Sequence, residues 1–229
     1  MNDLPETTLF MLMSADGKIS TGVGDKRDFD KDLPNVKGAS DGLQQYYDLE
    51  MLTDLFSFNT GKVMEKVGWN EERDDIERLP VSFIIVDNKP HLTKRGVTNL
   101  LKRTKKLYIV STNNQHPAKT NLEANLEFIY IDGKVDFTDL FKQLRSKAGV
   151  DRLTIQSGGE MNSLLIREGL VNNVSVVVAP ILVGGRDTPT LVDGPSLITD
   201  ADLQFLKPLE LVRADVLENS YLHLQYKVL

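Results

Sequence analysis

The sequence predicts an α/β protein built on a mixed, mostly parallel sheet, with helices on both faces and an antiparallel C-terminal edge. Short apolar runs alternate with segments of helical spacing along most of the chain, the pattern of strands joined by crossover helices. Val174 to Ala179 is almost wholly apolar, as a strand covered on both faces must be. Near the C-terminus, Glu210 to Leu217 and Tyr221 to Val228 read as two closing strands. Alternation at Leu222, Leu224 and Tyr226 predicts that they form an antiparallel pair with one face buried. With no internal repeat and no long linker, residues 1–229 are expected to form one domain.

Thr7 to Met13 is rich in strand formers, and Asp16-Gly17 supplies the turn after it. Asp16 is either a turn former or a group with a catalytic or ligand role. Thr21 to Gly42 is polar, holds four glycines and one proline, and carries the run Asp25-Lys26-Arg27-Asp28. A loop of that length is functional or mobile; its charges form a solvated surface, or Lys26 or Arg27 meets a substrate phosphate. Leu43 to Leu55 has helical spacing at Tyr46, Leu49, Leu52 and Leu55, followed by a brief strand from Phe56 to Phe58. Asn59-Thr60-Gly61-Lys62 then enters a second helix, and amides at a helix start beside one lysine suit a nucleotide phosphate.

Val81 to Val86 reads as a buried strand ending in Asp87-Asn88. Open α/β sheets place ligands just past the carboxyl ends of their strands, and Asp87 reads equally as a ligand-side residue there or as the cap of the next turn. Leu107 to Val110 and Leu126 to Ile131 are further strands, and Phe137 to Ala148 is an amphipathic helix with Leu140, Phe141 and Leu144 inward. Arg152 to Gln156 is a short apolar run broken by Ser157-Gly158-Gly159, after which Met161, Leu164 and Leu165 carry helical spacing. A helix that opens on a glycine turn points its first amides, at the positive end of the helix dipole, toward an anion. Gly169 stops this helix. Further on, Gly184-Gly185 lets the backbone approach another element closely, with Arg186 beside it either reaching a phosphate or exposed.

The composition is that of a globular chain, 41% hydrophobic and 26% charged. A net charge of −6 argues against a nucleic-acid partner, because phosphate-backbone binding needs a basic surface. The basic residues Lys94, Arg95, Lys102, Arg103, Lys105 and Lys106 are interleaved with apolar ones and read as the wet face of a helix. The absence of cysteine excludes a disulfide framework and thiolate chemistry, and fits a reducing compartment. The N-terminus lacks a basic segment before an apolar core, and no apolar run approaches the roughly 20 residues of a membrane span, so the protein is expected in the cytoplasm. His91, His116 and His223 are scattered and read as surface or turn residues, so no metal site is expected. Trp69 and the methionines read as core, with Met13 and Met161 as candidates to line a nicotinamide pocket.

The run GGEMNSLLIREGLVNNVSVVVAPILVGGRDTPTLVDG resembles the RibD C-terminal type of riboflavin-pathway reductase and, more distantly, dihydrofolate reductase. LFMLMSADGKIS is similar to that family's first strand and its Ser-Leu-Asp-Gly-Lys turn, with Ala15 in place of leucine. The resemblance implies a dihydrofolate-reductase-like fold, NADPH as cofactor and a homodimer. By it, Ser157, Gly158, Gly159, Glu160, Met161 and Asn162 hold the diphosphate, while Met13 and Ser14 lie at the nicotinamide. Asn59, Thr60, Gly61 and Lys62 form a cofactor-contacting turn, and Asp87 and Asn88 correspond to the family's Val-Asp-Ser. Lys26, Arg27 and Gln156 are then the substrate-side residues, and Asp16 is the candidate catalytic acid.

The implied reaction reduces the ribose of a ribosylaminopyrimidine 5′-phosphate to the ribityl form, in riboflavin synthesis. The cofactor supplies hydride, and the protein aligns donor and acceptor. Two departures bear on the substrate. The acidic pair and proline expected after the Asn59 turn are missing, and Gln156 stands where relatives carry glutamate, an amide that donates as well as accepts. The alternatives are an NADPH-dependent reductase of another pterin-like or carbonyl compound, and a non-catalytic nucleotide-binding protein.

Overall fold

The computed structural model describes residues 3–24 and 26–229, so Asp25 of the charged run lies outside the described residues. In chain order the elements are β1 (Glu6–Ser14), α1 (Phe29–Asp32), α2 (Gln44–Glu50), β2 (Phe56–Thr60), α3 (Gly61–Lys66), β3 (Ser82–Val86) and α4 (Lys94–Arg103). They continue with β4 (Leu107–Ser111), β5 (Leu126–Tyr130), α5 (Phe137–Ala148), β6 (Arg152–Ile155), α6 (Gly159–Arg167), β7 (Asn173–Ala179), β8 (Leu209–Val216) and β9 (Leu222–Val228). The described residues separate into two compact units: Asp54–Ser157 with the residues up to Pro5, and Glu6–Thr53 with Gly158–Leu229.

In the first unit β5, β4, β3, β2 and β6 are neighbours in that order, and every pairing is parallel. Helices cover both faces of this sheet. Met64 of α3 and Val97, Leu100 and Leu101 of α4 pack with Ile85, Leu107 and Ile109 on one face. On the other, Phe58 of β2 meets Phe137 and Phe141 of α5 edge-on, with centroids 6.1 and 5.5 Å apart. Asp136 caps α5 by accepting from the Asp139 amide at 2.9 Å, and Gly149, left-handed at φ 68°, ends it.

In the second unit β1 pairs with β7 in parallel, while β9 pairs antiparallel with both β7 and β8. Phe10, Leu12, Val177 and Ala179 form one face of β1 and β7, covered by Phe29 of α1, Leu43 and Tyr46 beside and within α2, and Tyr221. The Phe10 and Tyr46 rings are stacked at 5.3 Å.

Three expectations change. The Thr21 to Gly42 segment holds α1 and two short 3₁₀ turns, Leu33–Asn35 and Ser40–Gly42, because Asp28 caps α1 and Asp32 gathers the hydroxyl of Thr21 and the amide of Asp28. The helix expected from Leu43 to Leu55 stops at Glu50, and Leu52 and Leu55 are exposed. The closing hairpin forms, yet its apolar face, with Leu211, Ala214 and Val216 opposite Tyr226, Leu224 and Leu222, is not buried. Its most buried strand residue, His223, points the other way, beside core residue Val177. Alternation fixed the pleat correctly, but among the described residues nothing covers the apolar side.

Candidate active site

The second unit supplies a helix start and a turn. Helix α6 opens at Gly158, an extended N-cap residue at φ −73° that offers no side chain of its own to the first-turn amides. A Cβ on Gly158 would meet no atom within 4 Å, so the space above the helix start is open. One residue later the surroundings reverse. A Cβ on Gly159 would strike the Thr190 carbonyl and the Asp193 carboxylate. Glycine is therefore required at 159 by packing and at 158 by nothing in the chain itself. Glu160 is exposed, Met161 is half-buried, and Asn162 is buried and donates to the Leu191 carbonyl at 2.8 Å. An open, glycine-capped helix start fits an anionic diphosphate, although Asp193 already lies on one side of it.

At the end of β1, Met13 is half-buried beside Val178, and Ser14 is fully buried. The Ser14 hydroxyl donates to Asp16 at 2.5 Å and accepts from the Lys18 amide at 2.9 Å. The Asp16 carboxylate also accepts from the amides of Val183, at 3.1 Å, and Gly184, at 2.7 Å. The Ser14 hydroxyl, with these two amides, lowers the Asp16 pKa from 3.8 to about 2. In these bonds Asp16 holds the turn, one of the two roles read for it from the sequence. The expected close approach of the Gly184-Gly185 backbone is realised in these bonds, and both glycines have positive φ, 72° and 80°.

Lys26 and Arg27 are both exposed, and Arg27 lies 3.4 Å from Asp32 in an ion pair. A phosphate at Arg27 would have to compete with that carboxylate.

In the first unit, Thr60 caps α3 by accepting from the Val63 amide at 3.4 Å, and Lys62 is exposed in the first turn. Asn59 is buried and donates to Ser57 at 2.8 Å, which donates to Gln156 Oε1 at 2.9 Å. A polar relay thus runs from Asn59 and Ser57 of β2 to the side chain of Gln156, the residue after β6. Ser157 beside it is buried.

Asp87 is buried and its carboxylate is committed inside the unit. It accepts from the amides of His91 and Leu92, both at 3.0 Å, and from His116 Nε2 at 3.0 Å. The first two of these bonds cap the turn after β3, as one of the two readings of Asp87 expects. Gly61 is packed against it, since a Cβ there would overlap the carboxyl group. Asn88 is exposed and accepts from the Thr112 amide at 3.0 Å.

His116 and His223 are not surface residues, as expected from their scatter, but buried ones. His116 Nδ1 accepts the Ala118 amide at 3.0 Å, which leaves Nε2 as the proton-bearing nitrogen toward Asp87. His223 Nε2 lies 2.8 Å from Ser175 Oγ.

Sequence reasoning also missed Lys18 and Asp193. Lys18 is buried and its Nζ donates to two backbone carbonyls, a contact that no periodicity announces. Asp193 accepts from the amide of Thr190 at 3.1 Å and its hydroxyl at 2.6 Å. The Asp193-Gly194 pair was a visible turn signal, and Gly194 does sit at φ 103°.

A model of the RibD C-terminal domain matches residues 5–219. Over 69 residues the chain is 41% identical to the 2,5-diamino-6-ribosylamino-4(3H)-pyrimidinone 5′-phosphate reductase of Methanothermobacter thermautotrophicus, covering 30% of this chain and 32% of that protein. The enzyme of the same name from Archaeoglobus fulgidus is 37% identical over 70 residues, 31% of this chain and 32% of its own. The matched stretch thus spans about a third of the length of these relatives. Among solved structures, RibD of Acinetobacter baumannii superposes with a TM-score of 0.70 at 14% identity, over all of this chain and 59% of that one. The riboflavin biosynthesis reductase of Saccharomyces cerevisiae gives 0.62 at 15% identity, over all of this chain and 92% of that one.

Proposed function

Because the chain belongs to the RibD C-terminal domain family, we propose that it is an NADPH-dependent reductase of a ribosylaminopyrimidine 5′-phosphate in riboflavin biosynthesis. The observation that carries this reading is the open glycine-capped start of α6, placed directly after the buried strand β6. Gly158 to Asn162 would hold the cofactor diphosphate, with Met13 and Ser14 as the residues toward the nicotinamide. Ser157, Asn59 to Lys62 and Asn88 are the further cofactor residues. Asp87 is proposed with them, its carboxyl group packed against Gly61. The cofactor supplies the hydride, and the residues of the chain bind, orient and exclude water. The completing proton comes from an acid, with Asp16 as the candidate, or from water.

Lys26 and Arg27 remain the proposed cations for the substrate phosphate. A different pyrimidine or pterin-like ring is favoured by one observation: Gln156 is fixed by Ser57 through its acceptor oxygen, an arrangement open to an amide and to an ionised glutamate alike, but only the amide also carries a donor. We take residues 1–229 as one reductase domain, a reading supported by a family match that spans both compact units. The absence of cysteine supports a cytoplasmic location. The exposed apolar face of β8 and β9, at a sheet edge, supports a homodimer with a second copy as its cover.

The test is direct. Purified protein is titrated with NADPH and NADH by cofactor fluorescence, and NADPH consumption is then followed with the ribosylaminopyrimidine phosphate. Tight binding of NADPH with consumption is expected. Binding without consumption leaves a nucleotide-binding protein or another substrate, and no binding removes the cofactor reading.

A further inference from the structure

The tripeptide Asp16-Gly17-Lys18 grips the segment Val183–Gly194 with both signs of charge. Asp16 accepts two of its amides, as described above. Lys18, only 9% exposed, turns Nζ into the same segment and donates to the carbonyls of Gly185, at 2.8 Å, and Thr188, at 2.9 Å. The acid takes the amides and the base takes the carbonyls of one short stretch. A buried ammonium is expensive to desolvate, so these carbonyls are what make its position tolerable. The grip continues along the chain: Ile19 donates to the Pro189 carbonyl at 3.0 Å, Leu191 donates to Gly17 at 3.0 Å, and Lys18 pairs with Thr190 in an antiparallel bridge.

The far end of the same segment is fastened to α6. The Asp193 amide donates to the Gly159 carbonyl at 3.0 Å, and Asn162 donates to Leu191. Val183–Gly194 is therefore a strap with one end on the turn after β1 and the other on the first turn of α6.

We propose that Asp16 and Lys18 are a pair of positioning residues that latch this strap, and that the strap transmits their hold to the start of α6. The proposal rests on the reading of α6 as the diphosphate site. By linkage, an anion that fixes the first turn of α6 also tightens the strap, and loosening the strap weakens the anion by the same factor.

The test uses the full chain with Lys18→Met and, separately, the milder Asp16→Asn at an exposed position. Amide hydrogen exchange is read at Leu191 and Asp193, and NADPH affinity by fluorescence titration. In both variants exchange at these two amides should rise about tenfold, NADPH should bind about tenfold more weakly, and saturating NADPH should restore slow exchange. Lys18→Arg, which keeps the charge, should retain most of the affinity. If Lys18→Met does not fold, Lys18→Arg and Asp16→Asn decide the matter alone. A loosened strap with affinity unchanged to within about twofold overturns the transmission. Weakened affinity with unaltered exchange overturns it as well, because the residues would then act by direct contact. Failure of the diphosphate reading shows itself in the unmutated chain as no NADPH affinity, and the transmission falls with it. Failure of the latch leaves that affinity intact and appears only in the variants.

Discussion

Gly158 and Gly159 are adjacent and have opposite reasons to be glycine, which makes them a controlled pair. A side chain at 158 enters open space, so Gly158→Asp should leave the fold intact while placing a carboxylate at the proposed diphosphate. NADPH affinity should fall at least about tenfold with the melting temperature little changed; retained affinity would show the turn to be only structural. Gly159→Ala should instead destabilise by roughly 1–3 kcal/mol, because the methyl group meets the Thr190 carbonyl and Asp193, and denaturant unfolding would measure it. Asp16 yields a pH prediction of definite sign. Its folded pKa of about 2 lies below the ordinary 3.8, so its stabilisation is complete above about 3.8 and is lost as the pH falls toward 2. The protection of the Gly184 and Val183 amides relative to their intrinsic exchange rates should fall over that window in the wild type and not in Asp16→Asn. The turn around Asp16 was legible in the sequence, but the partners of its charges were not. A Ser-x-Asp-Gly-Lys string says that a turn is present; it does not say which distant amides and carbonyls the two charges will meet. Lys18 and Asp193 stayed hidden because their partners lie far away in sequence.

Elements read well from the sequence where one physical signal dominates. Helix α5 was placed to the residue, since an Asp136 cap, an inward stripe and a terminal Gly149 agree. Asp136→Ala should destabilise by about 1 kcal/mol, measured by denaturant unfolding. Helix α2 read too long, because exposed Leu52 and Leu55 extended the apparent stripe past Glu50. The hairpin of β8 and β9 was predicted in place and pairing but with the wrong face inward. Strand alternation reports two faces and leaves open which of them this chain covers. His223, on the covered face, gives the hairpin a pH dependence. Burial lowers its pKa below 6.5, with Asp215 opposing and Arg213 adding to the effect. Its contribution to stability is therefore full above about 6.5 and declines as the pH falls, because the unfolded chain takes the proton first. The protection of β9 amides relative to their intrinsic exchange rates should fall below that pH, and His223→Gln should flatten the response.

For the molecule as a whole, the α/β class, the parallel strands and the antiparallel edge were legible because the alternation of runs survives any error in boundaries. The candidate site was legible only as a set of segments, since backbone turns mark it more than side chains do. The exposed apolar face of β8 and β9 carries a prediction at this scale. Leu211→Asp should convert the proposed dimer to monomer by sedimentation, with the fold retained, because Leu211 lies on the uncovered face and is more than half exposed. A chain already monomeric before substitution would remove the dimer. The contact of Gly61 with Asp87 reaches further, into how such a chain can diverge. No residue with a side chain fits at 61 while the carboxyl group stands at 87, and Asp87 cannot shrink without orphaning His116 and two backbone donors. The two positions are locked in history: drift at either is blocked until both change together, so descendants should keep the pair or lose it in a single evolutionary step.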